Sequence, residues 1–134
     1  MELQETLLKL LNNFSAATRR VILREIARYL LRSNRKRIRR NTQPDGTAMQ
    51  ARKSGSGLMF RKIGRQMRQR VSAEQAEVGF EGRTSWVATN HQLGRSIRQG
   101  NYTLDFPVRE LLGLDDTDRQ TVRDIIIKHI GKAA

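Results

Sequence analysis

Apolar residues recur every three or four positions in three stretches of this chain, and each stretch predicts an amphipathic helix. Leu3, Leu7, Leu8, Leu10 and Leu11 form the first, which ends near Asn12 and Asn13. Ser15, preceded by Phe14, suits the N-cap of a second and much longer helix reaching about Arg39. On that helix Ile22, Leu23, Ile26, Tyr29, Leu30 and Ser33 fall on one side. Arg20, Arg24, Arg28 and Arg32 fall on the other at i, i+4 spacing, and Arg35 and Arg39 continue their row. The two helices predict a hairpin or bent pair. The third stretch begins at Asp115, Asp116 or Thr117 and buries Val122, Ile125, Ile126 and Ile130. Its acids lie at the start and Lys128 and Lys132 at the end, as the helix dipole prefers.

Between the long helix and the last one the period changes. Asn41–Thr47 carries Pro44, Asp45 and Gly46 and predicts a turn. Ala48–Gly57 is polar, basic and almost without apolar anchors, so a mobile basic loop is expected over about 41–57. Leu58–Gly64 suits a short helix or turn returning to the core. Met67, Gln69, Val71 and Ala73 then alternate with Arg68, Arg70 and Ser72, and Glu77–Phe80 follows. That pattern predicts a β-hairpin turning near Ala73–Gln75. Thr84–Leu93 reads as a helix ended by Gly94, Arg95–Asn101 as a polar loop, and Tyr102–Phe106 as a third strand before Pro107. The expected fold is α+β: an N-terminal helix pair with one long basic helix, a small antiparallel sheet and a C-terminal amphipathic helix, in a single domain over 1–134. Its core is expected to use Ile22, Ile26, Leu30, Phe80, Trp86, Ile125 and Ile126.

Charge sharpens this picture. Residues 1–73 hold 18 Lys/Arg and 4 Asp/Glu, net +14, whereas residues 74–134 hold 8 and 9, net −1. Ten of the residues from Arg19 to Arg40 are basic, against the single acid Glu25. A rigid row of guanidiniums can meet nucleic acid, another subunit or only water. Six Arg on one face would give DNA binding through phosphates that is salt-sensitive and independent of sequence. No short second helix follows to enter a groove, and at 5% aromatic residues no stacking platform accompanies the row.

Candidate chemistry is sparse. There is no cysteine, so thiolate metal sites and disulfides are excluded. His91 and His129 have no ligand at metal spacing, and no paired carboxylates sit in an apolar setting. No apolar run approaches a membrane span, and the start lacks a secretory leader pattern. Neither catalytic residues, cofactor, metal nor small-molecule substrate is expected.

Several segments in order carry a family resemblance. Arg28–Ile38 followed by Gln43-Pro-Asp-Gly-Thr47 is similar to the phage virion morphogenesis family, which contains tail completion proteins of Mu-like and related contractile-tailed phages. The similarity continues through Leu58-Met-Phe60, Glu77-Val-Gly-Phe80, Ala88-Thr-Asn-His-Gln92 with Gly94, and Phe106-Pro-Val-Arg109 with Leu111-Leu-Gly-Leu114. The resemblance implies a structural protein, assembled in the host bacterial cytoplasm, that closes the head-proximal end of a tail. It further implies a homo-oligomeric ring, expected to be hexameric, contacting tail tube or sheath proteins and neck or head-completion proteins. Passing contact with phage DNA is compatible with it, as is a DNA-free tail-like particle. Two features depart from relatives: Ala48-Met49 stands where an aromatic often follows Pro-Asp-Gly-x, and Arg95–Asn101 is short. The residues expected to bind partners are Arg20, Arg24, Arg28, Arg32, Arg35 and Arg39 on the helix, with Asp45, Gly46, Arg52 and Lys53 on the following loop. The alternative is a non-specific nucleic-acid-binding protein acting through the same helix.

Overall fold

A computed structural model describes residues 13–51, 60 and 62–133. The predicted first helix, Leu3–Leu11, lies outside the described residues. Helix α1 spans Ala16–Arg39. Ser15 caps it, its hydroxyl accepting a hydrogen bond from the Thr18 N–H at 3.2 Å. The helix stops where Asn41 takes a left-handed φ of 51° and bonds back to the Ile38 carbonyl.

After α1 come a 3₁₀ turn at Ile63–Gln66 and strands β1 (Arg68–Val71) and β2 (Ala76–Gly79). Helix α2 (Gly82–Leu93), strands β3 (Ser96–Gln99) and β4 (Tyr102–Asp105), and helix α3 (Asp116–Ala133) complete the order. The α+β class is as expected, but the strands form two separate antiparallel pairs, β1–β2 and β3–β4, rather than one three-stranded sheet. The segment read as a polar loop, Arg95–Asn101, holds β3. Its Ile97 pairs with Leu104, and Gly100 at φ 58° supplies the tight turn.

The core divides into two clusters along α1. Ile22, Leu23 and Ile26 pack on Ile125 and Ile126 of α3, with Phe14, Val71 and Ala76 at the margin. Ile38 packs on Met49, Met67, Ala88 and Leu111. Each buried Ile, Leu and Met side chain among these, withdrawn from water, contributes about 1.5–3 kcal/mol before the entropy of ordering it is charged against it.

Two expectations about the core change. Met49 is 7% exposed, so the segment after the Pro-Asp-Gly turn does carry an apolar anchor. Its N–H bonds the Asn41 carbonyl, and Thr42 bridges Ala48, which folds residues 41–49 back on themselves. Trp86 is 46% exposed and lies edge-on to Phe106, outside the core, because the inner face of α2 is taken by Ala88, Asn90 and His91.

Between the two clusters α1 carries a polar hub. Arg37 Nη1 reaches Asp115 at 3.0 Å and Asp118 at 2.5 Å, while its Nη2 donates to Asn34 Oδ1 and the Gly113 carbonyl. Tyr29 and Ser33 also donate to Asp118. At the head of α3, Asp115 and Asp118 each accept the other's backbone N–H, a reciprocal cap.

Candidate functional site

The row on α1 is present as a solvent-facing line. Arg20, Arg24, Arg28, Arg32 and Arg39 are exposed, and Lys36 and Arg40 extend the line beyond the residues expected from the pattern. Residues four apart on an α-helix rise about 6 Å and turn about 40°, so the cations are regularly spaced along a line that winds slowly round the exposed side. None of these side chains is bonded to another described residue. The one acid of the helix, Glu25, is already spent on α3: Lys128 donates to Oε1, and His129 Nε2 lies 2.7 Å from Oε2. Hydrogen bonds from Lys128 and then His129 hold the Glu25 carboxyl below its usual range.

Like charges at i, i+4 cost about 0.2–0.5 kcal/mol per pair at low salt, so the row works against the helix that carries it. Its last members partly offset that cost. Lys36 and Arg39 lie in the final turn, where the helix dipole favours cations.

Arg35 departs from the row. Its Nε donates to the Gly64 carbonyl at 2.8 Å and its Nη2 to the Met67 carbonyl at 3.0 Å, which ties α1 to the 3₁₀ turn and the start of β1. The guanidinium is turned towards its own chain rather than along the exposed line.

Asp45 and Gly46 shape the turn after α1. Asp45 Oδ1 accepts from the Thr47 N–H at 2.9 Å, and Gly46 sits at φ 90°, where a side chain would be strained. Bonds from the Thr47 hydroxyl and then its N–H hold the Asp45 carboxyl low. The structure places both residues beside Arg40, Glu110 and Asp116 around an open cleft of about 650 Å³, away from Arg20–Arg28. Arg52 and Lys53 lie outside the described residues.

A second buried centre was not legible in the sequence. Arg109 is 2% exposed and donates to the carbonyls of Gln50 at 2.7 Å and Ala51 at 2.8 Å. Its Nη1 lies 3.1 Å from His91 Nδ1. A guanidinium can only donate, so Nδ1 must accept and the imidazole is neutral with its proton on Nε2. Phe60 and Phe106 enclose the ring edge-on, at centroid distances of 4.8 and 5.1 Å. Burial and then the Arg109 charge lower the His91 pKa, opposed by its bond to the Pro107 carbonyl. This centre ties residues 50–51 and 106–109 to α2.

Among the described residues no group of His, Cys, Asp and Glu is arranged to hold a metal ion, and no helix is long and apolar enough to cross a membrane. The feature that distinguishes the molecule is the unpaired cationic line.

The sequence matches the phage virion morphogenesis family over residues 1–131. It is 31% identical over 141 residues to the "Tail completion protein S" of Escherichia phage P2, an alignment covering 95% of this chain and 94% of that protein. No solved structure is significantly similar.

Proposed function

Because this chain belongs to the phage virion morphogenesis family, we propose that it is a structural, non-catalytic subunit that completes the tail at its head-proximal end. In this reading it forms a homo-oligomeric ring, taken as hexameric, that closes the tail tube or sheath and offers a surface to neck and head-completion proteins. It is assembled in the host bacterial cytoplasm and stays in the virion.

The observation that carries the reading beyond tail completion is the exposed line Arg20, Arg24, Arg28, Arg32, Lys36 and Arg39, unpaired by any described acid of its own chain. A line of like charges kept against its own repulsion is best explained by an acidic partner that is rigid and always present. A neighbouring subunit or tail protein meets that condition. Asp45 and Gly46 fix the turn that follows α1, and Arg52 and Lys53 are further partner-binding residues in this reading.

The second reading, non-specific nucleic-acid binding, is favoured by the same regular cations. We rank it lower because DNA must slide through a tail conduit, and repeated rows of free Arg would hold it tightly. Charge reversal of Arg28 and Arg32 together tests the first reading. The variant should fold normally and fail to enter tails. Normal particles from R28E/R32E would remove the row from the interface. Salt-sensitive duplex binding that the variant loses, with assembly intact, would favour the second reading.

A further inference from the structure

The cationic line is not uniform along its length. Its far end borders an open cleft of about 470 Å³ between α1 and the head of α3, lined by Arg32, Lys36 and Arg40 at the rim and by Tyr29, Ser33 and Arg37 beneath. Arg20, Arg24 and Arg28 line no part of that cleft. The other wall brings Thr117 from the first turn of α3. Thr117 is the second residue of an 18-residue helix, so the positive end of that helix borders the same space.

Arg37 forms part of the floor. It is 8% exposed, it lines the cleft, and its Nε has no hydrogen-bond partner although the other two nitrogens are fully engaged. That Nε is itself shut off from solvent, so the positive charge open to a guest comes from Arg32, Lys36 and Arg40.

We propose that this cleft is an anion socket that receives an Asp or Glu side chain from an acidic segment of a neighbouring virion protein, with Arg32, Lys36 and Arg40 as the cations that hold it. The proposal rests on the reading of the α1 row as protein-facing, and it locates the specific contact at one end of that row.

A carboxylate fits better than a DNA phosphate for two reasons. The floor already contains Asp115 and Asp118, both committed to Arg37, so a singly charged guest meets less repulsion than a nucleic-acid backbone with closely spaced charges. A cleft of this volume admits a side chain, whereas the convex surface of a duplex would reach only its rim. Rim contacts of that kind would make Arg32, Lys36 and Arg40 no different from Arg20 and Arg24.

The test compares two double variants of the full chain, Lys36→Glu/Arg40→Glu at the cleft and Arg20→Glu/Arg24→Glu at the other end. Incorporation into tails is scored alongside R28E/R32E, and affinity for an oligoglutamate peptide and for a short duplex DNA is measured on the purified protein. The expected result is that K36E/R40E loses about tenfold or more in peptide affinity and in incorporation, and that R20E/R24E, which weakens the row without touching the cleft, loses several-fold less in both. A charge-neutral pair, Lys36→Gln/Arg40→Gln, with unchanged thermal melting should share most of the loss and so exclude misfolding as the cause.

Equal losses from both ends, or loss in R28E/R32E without loss in K36E/R40E, would overturn the socket and leave the row reading standing. Normal assembly in all three Glu double variants would overturn both. Duplex DNA binding that depends on Lys36 and Arg40, with no peptide binding, would assign the cleft to phosphate and reject the proposal.

Discussion

Arg37 Nη1 lies 2.5 Å from Asp118 Oδ2, in a pair whose side chains are 9% and 1% exposed. The contact joins the exposed-row helix to the head of α3, and beside it Tyr29 and Ser33 donate to the same carboxylate while Arg37 also donates to Asn34. Removing one partner of a buried ion pair strands the other, so Asp118→Ala should cost about 3–5 kcal/mol. Arg37→Met should cost less than that, because a flexible apolar chain fills the space while Tyr29, Ser33 and the Asp115 N–H still serve the carboxylate. Urea unfolding of the two variants and of the double variant measures the coupling. Additive losses would sink the hub as a unit.

The His91 centre predicts a pH dependence. Burial, and next the Arg109 charge, hold the folded pKa below its ordinary 6.5. The unfolded chain therefore binds a proton in the window just below pH 6.5 that the folded chain refuses. This stability is fully present above about pH 6.5 and is lost as pH falls towards the depressed folded value. Glu25 and Asp118 have the same sign but act in more acidic windows, below their ordinary 4.5 and 3.8. For Asp118, burial pulls upward, and the bonds from Ser33, Arg37, the Asp115 N–H and Tyr29 outweigh it. His91→Gln keeps an acceptor for Arg109 and cannot titrate. Its urea midpoint should be flat between about pH 7.5 and 5 where the parent declines. An unchanged slope in the variant would assign the decline elsewhere.

The contrast between the two centres and the row explains what a reader of the sequence can see. A periodic element is legible. The cap at Ser15, the stripe Ile22–Leu30, the Pro-Asp-Gly turn and the hairpin at β1–β2 follow from local spacing, and each forms within a few residues of where the pattern puts it. Long-range pairings are not. Arg37 falls among the row in the sequence, and only the approach of α3, 78 to 81 residues later, turns it inward. Its position beside Asn34 and Ile38 on the buried face was the available signal. Arg35 was lost to the same effect, since Gly64 and Met67 offer carbonyls that no periodicity announces. The strand at Ser96–Gln99 was hidden by its polar residues, because a two-stranded pair with an exposed face needs little apolar alternation.

Gly94 closes α2 in the left-handed conformation at φ 63°, and a Cβ there would sit 2.4 Å from Val108 Cγ2. Gly94→Ala should cost about 1–3 kcal/mol, from backbone strain plus the clash. Val108 is exposed, so truncating it to Ala should recover the part of the loss due to the clash and none of the part due to φ. Thermal melting of G94A and of G94A/V108A separates the two contributions. No recovery in the double variant would mean that strain alone sets the cost.

The row itself makes opposite predictions for two of its arginines. Arg35 donates to the carbonyls of Gly64 and Met67, which keep the Met67 N–H and Arg68 Nη1 respectively when it is removed, so Arg35→Ala should cost about 1–3 kcal/mol from the loss of two charge-assisted hydrogen bonds. Arg28 is exposed, touches no described acid, and sits between Arg24 and Arg32 at i, i+4. Arg28→Ala relieves two like-charge contacts and should raise stability at low salt by a few tenths of a kcal/mol, or about 0.5 kcal/mol at most. That gain depends on unscreened repulsion, so it should vanish near ~1 M salt, where the Debye length falls to ~3 Å. The Arg35→Ala loss depends on hydrogen bonds and should persist there. Urea midpoints at low and high salt check both variants in one series. Destabilisation by Arg28→Ala would show that this arginine has an internal partner, and the row would then be part of the fold rather than a surface kept for a partner.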